Sequence, residues 1–165
     1  MKITDIEIIP IAPKLATRYA TRRVDLYGID FRVVYKVHTD AGITGYGDVR
    51  MRPWANPSRD DLAHLIGKSP FDFINDNRNV GGTGLLCALY DAMGKALDLP
   101  VHKLLGQKKR DAIPVAAWTR PCAPKIFRAE IQRAAKEGYR VFKIHTSSYH
   151  DVFEQTRLAA EVAPE

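Results

Sequence analysis

The second half of the sequence alternates strand-like and helix-like patterns, and this alternation constrains the fold more than any other feature. A strand-like stretch at 113–118 precedes a helical pattern at 123–136, and a second strand-like stretch at 139–145 precedes a helical pattern at 151–162. Elements in this order, joined by short turns, are typical of βαβ units whose strands are parallel. The sequence therefore predicts a parallel sheet after about residue 112.

The second of these strands, residues 139–145, carries two ionisable side chains on one face. Because side chains alternate along a strand, Phe142 and Ile144 share one face, and Lys143 and His145 share the other. Active sites of parallel sheets and barrels lie at the C-terminal ends of the strands. Lys143 and His145 are therefore candidate catalytic residues, a cation and a titratable base able to hold one small anion. The alternative is a strand whose polar face simply meets water.

The first half predicts a smaller antiparallel unit. Strand patterns occupy residues 2–11 and 29–39, and an Asp-Ala-Gly turn joins the latter to a returning strand at 43–48, which gives a β-hairpin. The glycines of the returning strand indicate a bulge or the close approach of another backbone. A boundary between the two halves is expected near residues 107–112, where the pattern changes.

Helices are expected after the hairpin. Ser58 is a candidate N-cap of a short helix that ends at Gly67, and another helical turn is expected at 71–74. A longer helix follows a Gly-Gly break, and Gly94 within it indicates close packing. Its predicted core stripe comprises Leu86, Leu89, Tyr90, Met93 and Leu97. A further short turn at 101–105 is expected to end at Gly106.

Composition sets limits on location and size. With 165 residues, 45% of them hydrophobic and 27% charged, the chain suits one ordinary globular domain or two small ones. No apolar run approaches the roughly 20 residues that span a bilayer. The N-terminus opens directly into a strand-like pattern, so we expect no signal peptide, no membrane partner and a cytoplasmic location. Cys87 and Cys122 lack metal-binding spacing, and we expect both to be buried thiols.

The net charge of +6 favours anionic partners. It permits nucleic-acid binding, but the sequence contains no recognised DNA- or RNA-binding motif. A nucleic-acid binder remains an alternative, which steeply salt-dependent DNA binding would reveal. An anionic small molecule is the more economical partner.

Four segments of the chain resemble one protein family. They are 39–48 (TDAGITGYGD), 88–101 (ALYDAMGKALDLPV), 104–106 (LLG) and 113–115 (IPV). In this order they resemble the enolase superfamily, in its mandelate racemase and muconate-lactonizing branch. The resemblance implies an N-terminal α+β capping domain at 1–111, followed at 112–165 by the first two βα units of a modified TIM barrel.

The resemblance also implies a chemistry. Members abstract the proton α to a carboxylate and stabilise the enediolate with Mg²⁺, which leads to dehydration of acid sugars or to racemisation and epimerisation. Lys143 matches the first lysine of the family's Lys-x-Lys pair and is expected to offset the carboxylate or enediolate charge. His145 stands where the second lysine is expected. An imidazole with a pKa of about 6.5 exchanges protons at neutral pH, although His145 could equally be only a hydrogen-bond donor.

Two basic loops match the capping-domain loops that close over the barrel mouth in this family. One lies in residues 14–23 and the other in residues 49–57. By position, the candidate substrate-binding residues for an acid sugar or a similar carboxylate are Arg18, Tyr19, Arg22, Arg50, Arg52 and Trp54. Solvated connections are the plain alternative for both loops.

A complete barrel of this kind needs about 250 residues. The family's carboxylate metal ligands lie on the third, fourth and fifth strands, and we expect them beyond Glu165. We therefore expect this chain to be inactive alone and to pair with another copy or with a missing C-terminal half. A non-catalytic fragment or interaction module that retains the capping fold is the second hypothesis.

Overall fold

The computed structural model describes the chain at residues 1–13, 31–50, 57–76, 80–119, 122–145 and 150–163. The described residues form two compact units, the first ending at Lys109 and the second beginning at Arg110. No helix within these ranges is both long and apolar enough to cross a membrane.

A three-stranded antiparallel sheet organises the first unit. Its strands are β1 (Ile3–Ile11), β2 (Arg32–Thr39) and β3 (Thr44–Arg50), in the order β1-β2-β3. The predicted first strand and hairpin are confirmed. Strand β2 begins at Arg32, later than the predicted start, and β3 runs to Arg50, two residues beyond the predicted end at Asp48.

Short helical turns follow the sheet, as the sequence predicts. Helix α1 (Arg59–Leu62) continues into a 3₁₀ turn at Ala63–Leu65, and a second 3₁₀ turn occupies Pro70–Phe73. The Ser58 side chain accepts a hydrogen bond from the Asp61 amide, and the Asp61 side chain accepts one from the Ser58 amide. This reciprocal pair satisfies donors that the start of a helix leaves without partners.

The long helix α2 (Thr83–Leu97) packs against the sheet, and α3 (His102–Leu105) follows it. The predicted stripe is right for Leu89, Tyr90 and Met93, whereas Leu86 is half-buried and Leu97 is exposed. The buried face is centred instead on Leu85, Ala88 and Ala92, which pack on β2 and β3. The unit's buried core includes Ile3, Ile6, Val33, Tyr35, Val37, Leu62, Leu65, Leu85, Leu89 and Met93.

Glycine allows α2 to approach the sheet. A Cβ on Gly47 would lie 2.5 Å from the Ala88 nitrogen, and one on Gly84 would lie 2.8 Å from Cβ of Val49. The close approach predicted from the glycines of β3 is confirmed. Gly94 allows a similar close approach near the end of α2, because a Cβ at this position would lie 2.8 Å from the Leu99 carbonyl oxygen.

The second unit contains two parallel strands and two helices. Its elements are β4 (Ala117–Trp118), α4 (Pro124–Lys136), β5 (Phe142–Lys143) and α5 (Val152–Val162). The parallel pairing of β4 with β5 confirms the predicted βαβ arrangement. Both strands are much shorter than the predicted spans 113–118 and 139–145. Among the described residues the β4–β5 ladder contains two residue pairs, and the flanking residues Ile113 and Val115 are 71% and 70% exposed.

The sequence pattern predicts core residues Ile126, Phe127 and Ile131 on α4, and Val152, Phe153, Leu158 and Ala159 facing inward on α5, but the helices bury fewer of them. Phe127, Ile131 and Leu158 are buried as expected, but Ile126, Val152 and Phe153 are exposed. The first turn of α5 points its apolar residues outward, and its buried face begins at Gln155, which is 1% exposed.

The two cysteines differ in burial. Cys122 is buried, as expected, but Cys87 is exposed, so that prediction is wrong. Cys87 follows half-buried Leu86 and precedes buried Ala88 on α2, and its Cβ still borders the sheet, because a Cβ on Gly47 would lie 3.0 Å from it.

Candidate functional site

Lys143 ends β5 and His145 lies two residues beyond it, and both side chains leave the same face of the chain, as alternation predicts. On the other face, Phe142 and Ile144 pack against the cluster that contains Phe127. Lys143 and His145 are both exposed. The strand is therefore anchored by its apolar face, and its cationic and titratable side chains face away from the core.

Trp118, at the end of β4, contacts the candidate base. Its ring lies edge-on to the His145 ring, with centroids 5.4 Å apart and planes at 89°. Trp118 is also paired in register with Lys143. Sequence reasoning missed this residue, although the position of a tryptophan at the end of the first parallel strand was a signal that could have found it.

Backbone hydrogen bonds fix the two strand ends relative to each other. The Ala117 amide donates to the Val141 carbonyl over 2.8 Å. The amide and hydroxyl of Thr119 both donate to the Lys143 carbonyl oxygen, over 3.0 and 3.2 Å. Because two donors hold one carbonyl, the backbone at Lys143, two residues before His145, is fixed relative to Thr119.

The candidate substrate-binding residues are only partly within the described chain. Arg50 is the last residue of β3, is exposed and stands opposite Arg32 in the ladder. The other five lie outside the described residues: Arg18, Tyr19, Arg22, Arg52 and Trp54. Arg50 belongs to the first unit, whereas Lys143 and His145 belong to the second.

Carboxylates that could bind a metal have other partners. Asp48 pairs with Arg32 over 3.2 Å. Asp91 accepts hydrogen bonds from the Tyr46 amide over 2.8 Å and from Lys95 Nζ over 2.6 Å. Across the described ranges, no group of three or more His, Cys, Asp or Glu side chains could hold a metal ion. These residues do not fit the Mg²⁺ that the family resemblance implies.

A second polar cluster crosses the outer face of the first unit's sheet. His38 lies between Glu7 and Thr44, with Nε2 2.6 Å from Glu7 Oε1 and Nδ1 3.1 Å from Thr44 Oγ1. The hydrogen bond from His38 and the nearby Lys36 ammonium, 3.6 Å from Glu7, lower the pKa of the Glu7 carboxyl. The three residues stand on three adjacent strands of an open sheet, an arrangement typical of a cross-strand polar ladder.

Comparison with known proteins adds sequence relatives. No family model matches the chain. It is 33% identical over 129 residues to D-galactonate dehydratase of Variovorax paradoxus, an alignment that covers 67% of this chain and 34% of the relative. It is 27% identical over 164 residues to N-succinyl-L-Arg/Lys racemase of Bacillus cereus, covering 87% of this chain and 44% of the relative.

Solved structures share the fold. A dipeptide epimerase from Enterococcus faecalis, complexed with Mg and the dipeptide L-Leu-L-Tyr, matches with a TM-score of 0.72 and 18% identity over 98% of this chain and 51% of that one. A mandelate racemase/muconate lactonizing family protein from Azoarcus sp. EbN1 matches with a TM-score of 0.69 and 22% identity over 98% of this chain and 46% of that one. The chain thus spans about half, or less, of the length of each of these four proteins.

Proposed function

Since the chain belongs to the mandelate racemase/muconate lactonizing branch of the enolase superfamily, we propose that it is the N-terminal part of an enzyme that abstracts the α-proton of a carboxylate substrate. Its fold is an α+β capping domain followed by the first two βα units of a modified TIM barrel. We place the capping domain at 1–111 and the barrel units at 112–165. The reaction is dehydration of an acid sugar, or racemisation or epimerisation at the α-carbon.

The arrangement of Lys143 and His145 supports this proposal most directly. Lys143 is the last residue of β5 and His145 lies two residues beyond it, so both stand at the C-terminal end of a parallel strand, where catalytic groups are presented. In the proposal, the Lys143 ammonium binds the substrate carboxylate and offsets the charge that develops when the α-carbon loses its proton. His145 accepts that proton, or returns it, because an imidazole changes charge near neutral pH.

The proposal limits what this chain does by itself. The described residues lack a ligand set for Mg²⁺, although the Enterococcus epimerase was solved with Mg. Bound Mg²⁺ would supply electrostatic stabilisation of the enediolate. We propose that the chain alone is inactive and that other polypeptide completes the site.

Exposed apolar residues of the second unit support a pairing partner. Ile113, Val115 and Val141 are all more than half exposed, and they flank the short strands β4 and β5. Within the described residues, β5 pairs only with β4, and an open strand edge favours association with another strand. We propose that a further strand, from a second copy or from the C-terminal half of the barrel, packs here.

Sedimentation velocity on the purified chain tests the pairing. Self-association at micromolar concentration is expected, and Val141→Lys should weaken it, because a lysine at a strand edge opposes pairing. Phe153→Lys is the matched control, since it adds the same charge at an exposed apolar residue of helix α5 rather than of a strand. If the chain is a monomer at micromolar concentration, and its sedimentation coefficient does not change when a C-terminal half of the barrel is added, the proposed pairing is contradicted.

Activity requires the complete barrel, so the catalytic proposal is tested in a fusion. Residues 1–163 are joined to the C-terminal segment of the Variovorax D-galactonate dehydratase that follows its aligned region, and acid sugars and dipeptides are assayed with Mg²⁺. Turnover of at least one carboxylate is expected. A folded fusion that binds Mg²⁺ and turns over none of them would contradict the proposal.

A further inference from the structure

We propose that Trp118 is a positioning residue for His145: its indole holds the imidazole in one orientation at the C-terminal end of β5. This inference rests on the proposed function, because the orientation of His145 matters to catalysis only if His145 exchanges a proton with substrate. Trp118 itself acts through the histidine.

The register of the two strands brings Trp118 and His145 together. Trp118 is the parallel partner of Lys143, and partnered residues of neighbouring strands project from the same face of a sheet. His145, two residues further along, projects from that face as well. Trp118 is thus the diagonal neighbour of His145, within reach of a large aromatic ring.

The ring geometry is that of a specific aromatic contact. Centroids 5.4 Å apart with planes at 89° form an edge-to-face pair, and aromatic rings prefer this arrangement over a face-to-face sandwich. An exposed histidine on a strand has several accessible χ1 rotamers. The indole favours the rotamers that keep the edge-to-face contact, so it reduces this freedom.

Backbone hydrogen bonds and core packing hold the chain on either side of this contact, so the contact can position a proton-transfer group. Thr119 donates twice to the Lys143 carbonyl, which fixes the backbone one residue before Ile144. Ile144 packs on the core cluster of the second unit from the opposite face. The His145 backbone is therefore held by the core, and its ring is held by Trp118. Catalytic groups supported in both ways keep the geometry that proton transfer requires.

Nuclear magnetic resonance on the intact 165-residue chain tests the inference. The chain has five histidines, and the His145 ring signals are identified by their loss in His145→Gln. In the wild type we expect nuclear Overhauser effects between the indole and imidazole protons, and unequal Hα–Hβ couplings that report one dominant χ1 rotamer.

Three variants distinguish positioning from general packing. Trp118→Leu should shift the His145 ring signals and average its couplings, whereas Trp118→Phe should restore the wild-type couplings because it keeps an aromatic ring. Tyr139→Leu removes another half-buried aromatic ring of the same unit and should leave His145 unchanged. If Trp118→Leu does not fold, the wild-type and Trp118→Phe spectra still decide the question.

Averaged His145 couplings in the wild type, or couplings unchanged in folded Trp118→Leu, would overturn the inference. These observations need no turnover, so they are independent of the catalytic proposal. If the couplings respond as expected but His145→Gln leaves the fusion enzyme fully active, the proposed role of His145 fails while its contact with Trp118 stands.

Discussion

Gly45 in β3 and Ala92 in α2 lie so close that a Cβ on Gly45 would stand 2.8 Å from the Cβ of Ala92. The same Cβ would overlap the Ala88 carbonyl oxygen. Helix α2 therefore rests directly on the backbone of the hairpin, and the absence of a side chain at residue 45 sets the distance between helix and sheet.

Gly45→Ala should destabilise the chain by about 1–3 kcal/mol, the usual cost of overpacking a core. Chemical denaturation monitored by circular dichroism measures the change. Gly42→Asn is the control, because Gly42 has a φ of +72° with open space around it, and asparagine tolerates that conformation. Equal stability of Gly45→Ala and the wild type would show that the helix does not depend on this close approach.

Gln155 provides a second test of packing. Its side chain is buried, and within the part of the chain that the structure describes neither amide atom has a hydrogen-bond partner. A buried polar group without a partner costs about 1–3 kcal/mol. Gln155→Met keeps the length of the side chain and removes the polar atoms, so it should raise the free energy of unfolding by about 1 kcal/mol.

The matched control for Gln155 is Gln132→Met, which makes the same change at an exposed position of α4. It should alter stability by less than about 0.5 kcal/mol. Destabilisation by Gln155→Met, with no change from Gln132→Met, would mean that the Gln155 amide has hydrogen-bond partners in solution and stabilises the fold.

The Glu7–His38 pair predicts how stability depends on pH. The hydrogen bond with His38 lowers the Glu7 pKa in the folded chain below the ordinary value of 4.5. A carboxyl with a depressed folded pKa stabilises the fold above its unfolded pKa, and this stabilisation is lost as pH falls through the folded pKa. Glu7→Gln should therefore reduce the loss of stability on acidification.

Denaturation midpoints measured from neutral pH to below 4.5 test this prediction. The range must extend below 4.5 because the Glu7 pKa in the folded chain is lowered from that ordinary value. His38→Gln removes the partner and should reduce the acid dependence as well, and the double variant should behave like either single variant. An acid dependence unchanged in both single variants would contradict the assignment.

Sequence patterns predicted the elements whose stability is local. The hairpin, the Ser58 cap and the glycines that admit α2 each depend on a few neighbouring residues, and the structure confirms them. The lengths of β4 and β5 could not be read in this way, because a parallel strand extends only as far as its neighbours do. Phe153 was predicted to face inward but is exposed, because helical spacing alone does not say which face of a helix meets the core.

The sequence places two candidate site residues on one predicted strand, and the structure brings Trp118 into contact with one of them. Alternation along residues 139–145 placed Lys143 and His145 on one face, but the contact of His145 with Trp118 depends on the register of β4 and β5, which pairs Trp118 with Lys143. Register between parallel strands is a tertiary property, and the motif at either strand does not contain it.

Exchange of the substrate α-proton with solvent shows whether Lys143 and His145 carry the proposed proton abstraction. The fusion enzyme is incubated with Mg²⁺ and a carboxylate substrate in D₂O, and deuterium at the α-carbon is followed by NMR and mass spectrometry. We expect deuterium to enter in the wild type. His145→Gln should reduce the rate of this exchange by about 10²-fold or more, the usual contribution of an acid/base group, and Lys143→Met should weaken substrate binding as well. Exchange that proceeds at the wild-type rate in His145→Gln and in Lys143→Met would contradict the claim that this strand carries the chemistry.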